Sequence, residues 1–393
     1  MSALSERVDA LSQQLRPHYA RFLAGAGDDV LLTAHSHQAW PDVSREAHLQ
    51  AWDDAAAMAD KKWAHVFGEV LPEFQRRVVQ RLGSERAADL ALAPNTHELV
   101  YRLLSCFPPE ARVLTTDSEF HSLRRQLSRS AEESLRVQWV QAGPGLADRL
   151  GQALREAPTQ LLALSQVFFT DASVVLDLET ILQDAASLGV PVLVDTYHSF
   201  NVLPMAVDDW PGEVFVVGGG YKYAQSGEAA CWMLLPPDCQ LRPRHTGWFA
   251  DFEHLETNDG VVRYCAGGFR FMGSTFDPSP FYRGRAVLAW MDAQGLSPER
   301  LRRATQDGTE LIIEGWARRA LQDKGLTLGS PRDRRERAGF VTFEHPRAQT
   351  LCALLDERGI RTDVRGTRLR LGPAPYTSST EIDRALQTLS EIL

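Results

Sequence analysis

A lysine that follows a glycine run has the clearest chemical potential in this sequence. The chain reads Gly218-Gly-Gly-Tyr-Lys222-Tyr223 directly after a short apolar run. At the edge of a buried sheet, burial would lower the pKa of this lysine towards neutrality, so that its amine could form a Schiff base with a carbonyl. The alternative interpretation is a surface loop lysine, because most lysines are exposed.

An aspartate lies 27 residues before this lysine, also at the end of an apolar run. Asp195 closes the segment Val190–Asp195, and Thr-Tyr-His198 follows it. Ligands of open α/β sheets bind beyond the carboxyl ends of the strands, and an aspartate there can hold a proton on a ring nitrogen. The alternative is an aspartate that caps the next turn.

Two further segments could bind anions. The first, Ala91-Leu-Ala-Pro-Asn-Thr-His-Glu98, opens a helical pattern, and a helix N-terminus can hold a phosphate with its free N–H groups. Plain N-capping by Asn95 or Thr96 is the alternative. The second contains Arg370, which on a strand could clamp a carboxylate with two hydrogen bonds. Together, the lysine, the aspartate and these two segments describe a site for pyridoxal 5'-phosphate (PLP).

The elements that must position these residues alternate between strands and helices. Apolar runs predict strands at 111–116, 160–169, 190–195 and 213–217, and the spacing of apolar residues predicts a helix over 176–188. Strands and helices in this order form a parallel α/β sheet with right-handed crossovers. The spacing between Asp195 and Lys222 matches one strand–helix–strand step.

Helical patterns dominate after about Tyr282. They cover 284–294 and 297–324, and a third helix over 348–358 lies between strand-like pieces at 339–343 and 367–371. These elements predict a small α+β lobe.

Composition excludes several classes of protein. The 393 residues include 44% apolar types and carry a net charge of −9, so nucleic acid is not an expected partner. Five cysteines without a CxxC pair indicate a reducing compartment. No apolar run is long enough for a membrane span, and residues 1–19 read as a polar helix rather than a signal peptide. We therefore expect a cytoplasmic protein without membrane contact. The many charged residues of Arg332–Arg337 separately predict a solvated loop.

The motifs resemble the class V aminotransferase group of fold-type I PLP-dependent enzymes, and within it kynureninase most. The resemblance extends from about residue 33 to residue 393. Asp195-Thr-Tyr-His-Ser-Phe-Asn-Val-Leu-Pro204 is similar to the family's Asp-x-x-His-Ser-x-Gly-Asn-x-x stretch, and Tyr221-Lys222-Tyr223 to its Tyr-Lys-Tyr. Gly247-Trp248-Phe249 is similar to its Gly-Trp turn, and the segment from Arg370 to Tyr376 to its Arg-x-x-Pro-x-Pro-x-Tyr, with one residue fewer before the tyrosine.

This resemblance implies the architecture of the chain. It implies an N-terminal helical segment (1–30) that packs with the small domain, a large PLP-binding domain (31–282) and a small α+β C-terminal domain (283–393). The large domain would hold a doubly wound, mainly parallel sheet. The resemblance also implies a homodimer with sites at its interface.

The resemblance also implies residue roles. Lys222 would carry PLP as a Schiff base, and Asp195 would pair with the pyridinium nitrogen. Arg370 would hold the substrate α-carboxylate. The other cofactor contacts would be Asn95, Thr96, His97 and Tyr221 at the phosphate, Phe120 stacked on the ring, His198 near the ring oxygen, and Trp248 from the neighbouring subunit.

One segment departs from the kynureninase pattern. Kynureninases carry Arg-x-Ser-Asn-Pro near the aromatic end of the substrate, whereas this chain reads Arg270-Phe-Met-Gly-Ser-Thr-Phe-Asp-Pro278. Gly273 replaces the Asn. Ser274 and Thr275 resemble instead an element by which other class V enzymes reach the partner subunit's phosphate. The missing substrate contact would have to come from His35, His37 or Ser274.

The expected activity is kynureninase-like hydrolysis of the Cβ–Cγ bond of L-kynurenine, which gives anthranilate and L-alanine. The alternatives are a class V aminotransferase, a β-eliminating lyase on another amino acid, and a non-catalytic PLP-binding protein.

Cysteine desulfuration requires a mobile loop cysteine. Cys352 lies in an apolar helical pattern, and Cys265 lies outside the family's loop context. His35 and His37 have no third ligand at a convincing spacing, so no metal is expected.

Overall fold

A mostly parallel sheet supports the first two thirds of the chain. The computed structural model describes residues 2–257 and 259–393. Its strands are β1 (Val30–Leu31), β2 (Leu90–Ala93), β3 (Ala111–Thr116), β4 (Leu135–Val140), β5 (Leu161–Ser165), β6 (Val192–Asp195), β7 (Val214–Gly218), β8 (Cys231–Leu234), β9 (Thr327–Leu328), β10 (Val341–Glu344), β11 (Ile360–Arg361), β12 (Asp363–Arg365) and β13 (Arg368–Leu371).

Helices cover the faces of the sheets. They are α1 (Ala3–Leu15), α2 (Ala20–Ala26), α3 (Asp42–Met58), α4 (Lys62–His65), α5 (Leu71–Arg81), α6 (Thr96–Leu104), α7 (His121–Ala131), α8 (Leu146–Glu156), α9 (Leu178–Ser187), α10 (Ser279–Ala293), α11 (Pro298–Arg318), α12 (Ala348–Asp356) and α13 (Ser379–Ile392). No helix among the described residues is long and apolar enough to cross a membrane.

The large sheet has the order β2-β8-β7-β6-β5-β3-β4 within the described residues. The strands from β7 to β4 are parallel, and β8 pairs antiparallel with both β2 and β7. Val194, Phe215 and Leu164 on the central strands are fully buried, as expected for strands covered on both faces. This confirms the predicted α/β fold with a large, mainly parallel sheet.

Two predicted elements end earlier than the apolar pattern suggests. The strand predicted over 160–169 stops at Ser165, because the chain turns back and Val167 pairs with Val174. The helix predicted over 297–324 stops at Arg318, and Ala320 takes a positive φ of 48°. The apolar pattern indicates which residues are buried, but a backbone turn can end a strand or helix before that pattern ends.

A smaller antiparallel sheet, in the order β12-β13-β10-β9, forms the C-terminal part. Val341, Phe343 and Leu369 form a core with residues of α11, α12 and α13. Helix α1 lies against this part, since Arg7 pairs with Asp307 at 2.8 Å. Helix α10 spans the predicted boundary between residues 282 and 283 and packs on α3 and α5. The division into 1–30, 31–282 and 283–393 remains a prediction.

Candidate active site

A cavity of about 300 Å³ lies at the carboxyl edge of the large sheet. Strands β5, β6 and β7 run parallel and end there, so the residues that follow them meet at one edge. The cavity is lined by Pro94, Asn95, Thr96, His97, Phe120, Ser122, Ser165, Val167, Phe169, Asp195, Tyr197, His198, Tyr221, Lys222, Glu228, Ala229 and Cys231.

Lys222 is buried at the centre of this cavity, with 5% of its surface exposed. Its Nζ lies 2.9 Å from Nε2 of His198 and 4.6 Å from the centre of the Tyr197 ring. The rings of Phe120 and Tyr221 lie slightly farther away, at 5.1 and 5.5 Å. Burial lowers the pKa of Lys222 to about 7, and Asp195 only partly offsets this effect. Its amine is therefore available as a nucleophile near neutral pH.

The glycine run before Lys222 permits close packing. A Cβ on Gly218 would lie 2.8 Å from the Trp232 ring, and a Cβ on Gly219 would lie 2.5 Å from the Tyr197 hydroxyl. Larger side chains would push the segment away from β8 and from Tyr197. The absence of side chains on these glycines thus lets the segment before Lys222 pack directly against β8 and Tyr197.

Asp195 ends β6, and its side chain both caps the following turn and lines the cavity. Its Oδ1 accepts the Tyr197 N–H at 2.8 Å, so it caps the following turn. Its side chain also lines the cavity. Burial raises its pKa, while hydrogen bonding from Tyr197 and the charge of Lys222 act in the opposite direction. A protonated ring nitrogen placed in the cavity would favour the charged carboxylate.

The first turn of α6 forms the other end of the cavity. Asn95 caps the helix, because its side chain accepts the Glu98 N–H at 2.8 Å. Thr96 and His97 belong to the first turn and line the cavity together with Asn95 and Tyr221. A helix N-terminus beside these polar groups suits a phosphate.

An unpartnered buried atom beside Lys222 fits a bound cofactor. Nδ1 of His198, whose Nε2 lies 2.9 Å from Nζ of Lys222, is buried without a hydrogen-bond partner in the described chain. Such atoms are rare in native proteins and often mark ligand positions. Burial also lowers the pKa of His198, so its ring is neutral. With a nucleophilic lysine, a carboxylate and a helix N-terminus, the cavity has the groups that PLP requires.

Arg370 lies beside this cavity rather than in its lining. It is 3% exposed, and its Nη1 donates to the Phe169 carbonyl at 2.7 Å while its Nη2 binds Asp363. The guanidinium is therefore held between the small sheet and a residue of the cavity wall. The positive charge of Arg370 acts on the groups in the cavity, since it contributes to the lowered pKa values of Lys222 and His198.

The two predicted histidines occupy different places. His35 is fully buried, 4.7 Å from the centre of the Phe340 ring, and burial lowers its pKa to about 4. The structure does not bring it into the cavity. His37 is exposed near the mouth, 5.3 Å from the Tyr221 ring and with its Nε2 3.5 Å from Glu228. The two histidines do not share a ligand position.

Three other predicted residues lie away from the cavity of this single chain. Trp248 is 45% exposed and packs on Phe249 and Phe252. Ser274 and Thr275 are exposed in the segment after Met272. None of the three lines the cavity.

Several lining residues were missed by the sequence analysis. Ser165 ends the strand next to Asp195, and its position at a strand end could have indicated it. Cys231 begins β8 and Glu228 lies in the segment before it, and neither stands in a recognisable motif. Burial raises the pKa of the Cys231 thiol to about 12, so this cysteine is not a reactive thiolate.

Comparison with known proteins points to one group of enzymes. Residues 301–389 match the family model of the kynureninase C-terminal domain. Kynureninase from Pseudomonas fluorescens is 29% identical over 307 residues, which is 69% of this chain and 70% of that protein. Kynureninase from Bacillus cereus is 23% identical over 375 residues, or 90% of this chain and 83% of that protein.

Solved structures with the same fold include two sulfur-handling enzymes. A mutant of C-DES, with glycine covalently linked to its PLP cofactor, has a TM-score of 0.83 at 17% identity and covers 94% of this chain and 98% of its own. The cysteine desulfurase of Thermococcus onnurineus NA1 has a TM-score of 0.81 at 16% identity, with 97% of each chain covered.

The fold and the site define a PLP-dependent enzyme of fold type I. In sequence, the chain resembles kynureninases, which confirms the resemblance drawn from its motifs.

The environment of Lys222 predicts where the cofactor attaches. Borohydride reduction of the PLP-loaded protein should fix the cofactor on Lys222, because a buried amine with a pKa of about 7 is partly neutral at pH 7 and can form a Schiff base. The sequence contains only three other lysines, at positions 61, 62 and 324, so peptide mapping by mass spectrometry is unambiguous. Lys222→Ala should abolish the label and Lys324→Ala should keep it. Label on another lysine would refute the assignment.

The position of Asp195 predicts its effect on turnover. Asp195→Asn keeps the shape of the side chain but removes the charge that holds the ring proton. A charged hydrogen bond in a buried site contributes several kcal/mol, so kcat should fall on the order of a hundredfold or more. Steady-state kinetics of the PLP-loaded variant measure this loss. Near-normal kcat would mean that Asp195 serves only as a cap for the Tyr197 turn.

Proposed function

We propose that this protein hydrolyses the Cβ–Cγ bond of L-kynurenine and releases anthranilate and L-alanine. The similarity to kynureninases, which extends over 90% of the chain in one comparison, carries this proposal. The match of residues 301–389 to the kynureninase C-terminal domain supports it, because this region contains Arg370.

PLP supplies an electron sink that stabilises negative charge on the substrate's Cα. Asp195 would keep this sink effective, since its carboxylate would hold a proton on the ring nitrogen. Lys222 would hold the cofactor through its amine, and the same amine would move the proton at Cα as general base and acid. A lysine pKa of about 7 suits both directions of proton transfer at neutral pH.

Arg370 is proposed to bind the substrate α-carboxylate. Its contact with the Phe169 carbonyl places the guanidinium beside the cavity wall, and its pairing with Asp363 fixes the planar group from the other side. A bidentate contact would fix the orientation of the substrate in the cavity. An arginine held in this way loses little conformational entropy when substrate binds.

The aromatic end of the substrate needs polar contacts that Gly273 does not supply. Because His35 is buried behind Arg370, we assign this role to His37 or Ser274. His37 stands at the mouth of the cavity beside Tyr221 and Glu228. Ser274 would have to come from a second copy of the chain.

We propose that the working enzyme is a homodimer. Trp248, Ser274 and Thr275 are exposed and outside the cavity of their own chain. Apart from Lys222, the residues that line the cavity include neither lysine nor arginine, so a phosphate there would gain from hydrogen-bond donors of a second copy.

The described cysteines are free, and together with their low number this supports a cytoplasmic location.

Product analysis decides between the proposed hydrolysis and the alternatives. With L-kynurenine, the PLP-loaded enzyme should release anthranilate and alanine in equal amounts and without a keto acid. Chromatography of both products measures the outcome. Transamination that depends on a keto acid, without anthranilate, would identify an aminotransferase instead.

The proposed role of Arg370 predicts a change in KM. Arg370→Lys should raise KM about tenfold or more, since a lysine cannot replace the bidentate contact.

The dimer proposal predicts complementation between two inactive variants. Lys222→Ala lacks the catalytic amine, and Trp248→Ala lacks the residue proposed to reach the partner's site. A mixed dimer would hold one intact site, so random mixing should restore about a quarter of wild-type activity. Turnover is measured after co-refolding, with each variant alone as control. If dimers form but mixing restores no activity, Trp248 does not act across the interface.

A further inference from the structure

A second buried carboxylate lies behind the site and has no role in the mechanism above. Glu119 follows β3 and is 1% exposed. It directly precedes Phe120, whose ring lines the cavity, but Glu119 itself is not part of the lining. Its influence on the cavity must therefore act through its neighbours and its charge.

Three hydrogen-bond donors converge on this carboxylate. Oε1 accepts the Thr116 hydroxyl at 2.6 Å and the Ser165 N–H at 3.2 Å, while Oε2 accepts the Ser165 hydroxyl at 2.6 Å. Thr116 ends β3 and Ser165 ends β5, and these strands are paired in the sheet. Glu119 thus joins the ends of two adjacent strands through bonds that favour its ionised form.

The same contacts bring Glu119 close to Asp195. The parallel register of β5 and β6 pairs Ser165 with Asp195, and the next residue, Gln166, donates its N–H to the Asp195 carbonyl at 3.0 Å. Burial raises the pKa of Glu119 to about 7, and the charge of Asp195 adds to this effect, whereas the bonds from Ser165 and Thr116 oppose it. The negative charges of these two buried carboxylates therefore repel each other across Ser165, and a cation in the cavity would favour the ionised form of both.

PLP would bring such a cation, because Asp195 would hold a proton on its ring nitrogen. We propose that Glu119 is a positioning residue for the cofactor: it holds Ser165 beside Asp195 and supplies a second negative charge behind the ring nitrogen. This inference rests on the binding of PLP but not on the identity of the substrate.

The test compares a neutral variant of the same shape with the wild type. Glu119→Gln can keep hydrogen bonds to Thr116 and Ser165 but lacks the charge. Its dissociation constant for PLP should rise about tenfold or more, as expected for the loss of a buried charge near a cation. The pH midpoint of the cofactor's visible absorbance should move to lower pH, because the protonated form loses a stabilising charge.

A control variant separates this effect from general destabilisation. Glu310→Gln removes the carboxylate that pairs with buried Arg337 at 2.8 Å, away from the cavity. It should lower the melting temperature without changing PLP affinity or the pH midpoint. If Glu119→Gln behaves in the same way, Glu119 is only a structural residue and the proposal is overturned.

Further outcomes keep the test decisive. If Glu119→Gln does not fold, Ser165→Ala removes one of the three donors, and it should weaken PLP binding in the same direction but to a smaller extent. An unchanged PLP affinity in Ser165→Ala would then overturn the proposal. A wild-type protein that binds PLP but does not cleave L-kynurenine would refute the proposed substrate and leave this comparison valid. A wild-type protein that binds no PLP would refute both.

Discussion

The burial of one amine is the constraint on which the rest of this site depends. Removing Lys222 from water lowers its pKa from 10.5 to about 7, which corresponds to about 5 kcal/mol against the charged form. The surroundings must therefore tolerate a neutral amine and still compensate a positive charge when one forms. Aromatic rings around Nζ provide the first condition, and Asp195 provides the second.

The sheet determines where this amine can lie. Parallel strands end at one edge, so Ser165, Asp195 and the glycine run after β7 are neighbours although they are distant in the chain. The antiparallel strand β8 places Trp232 under Gly218 and leaves no space for a Cβ there. The backbone before Lys222 is consequently fixed by packing, which orients the side chain without help from a ligand.

The small C-terminal part of the structure contributes Arg370, the proposed substrate clamp. Arg370 extends from β13 to the Phe169 carbonyl, so one side chain connects the small sheet with the wall of the cavity. Asp363 compensates its charge, and buried His35 lies on the far side of this pair with its Nε2 3.6 Å from Asp363. A histidine that sequence spacing had suggested for the substrate is thus part of the support behind the clamp.

Sequence alone predicted the central parallel strands and singled out Asp195 and Lys222. Asp195 ends one apolar run and Lys222 follows the glycine run after the next, and the order of such runs predicts a parallel sheet. It did not reveal Glu119 or Glu228, since the contact of Glu119 with the ends of β3 and β5, and the approach of Glu228 to the cavity from the segment before β8, arise from tertiary packing that no local pattern encodes. Nor could it show that His35 is buried while His37 is exposed, although only one residue separates them. That difference arises where the chain passes the small sheet, and only the tertiary structure brings the partners of both histidines together.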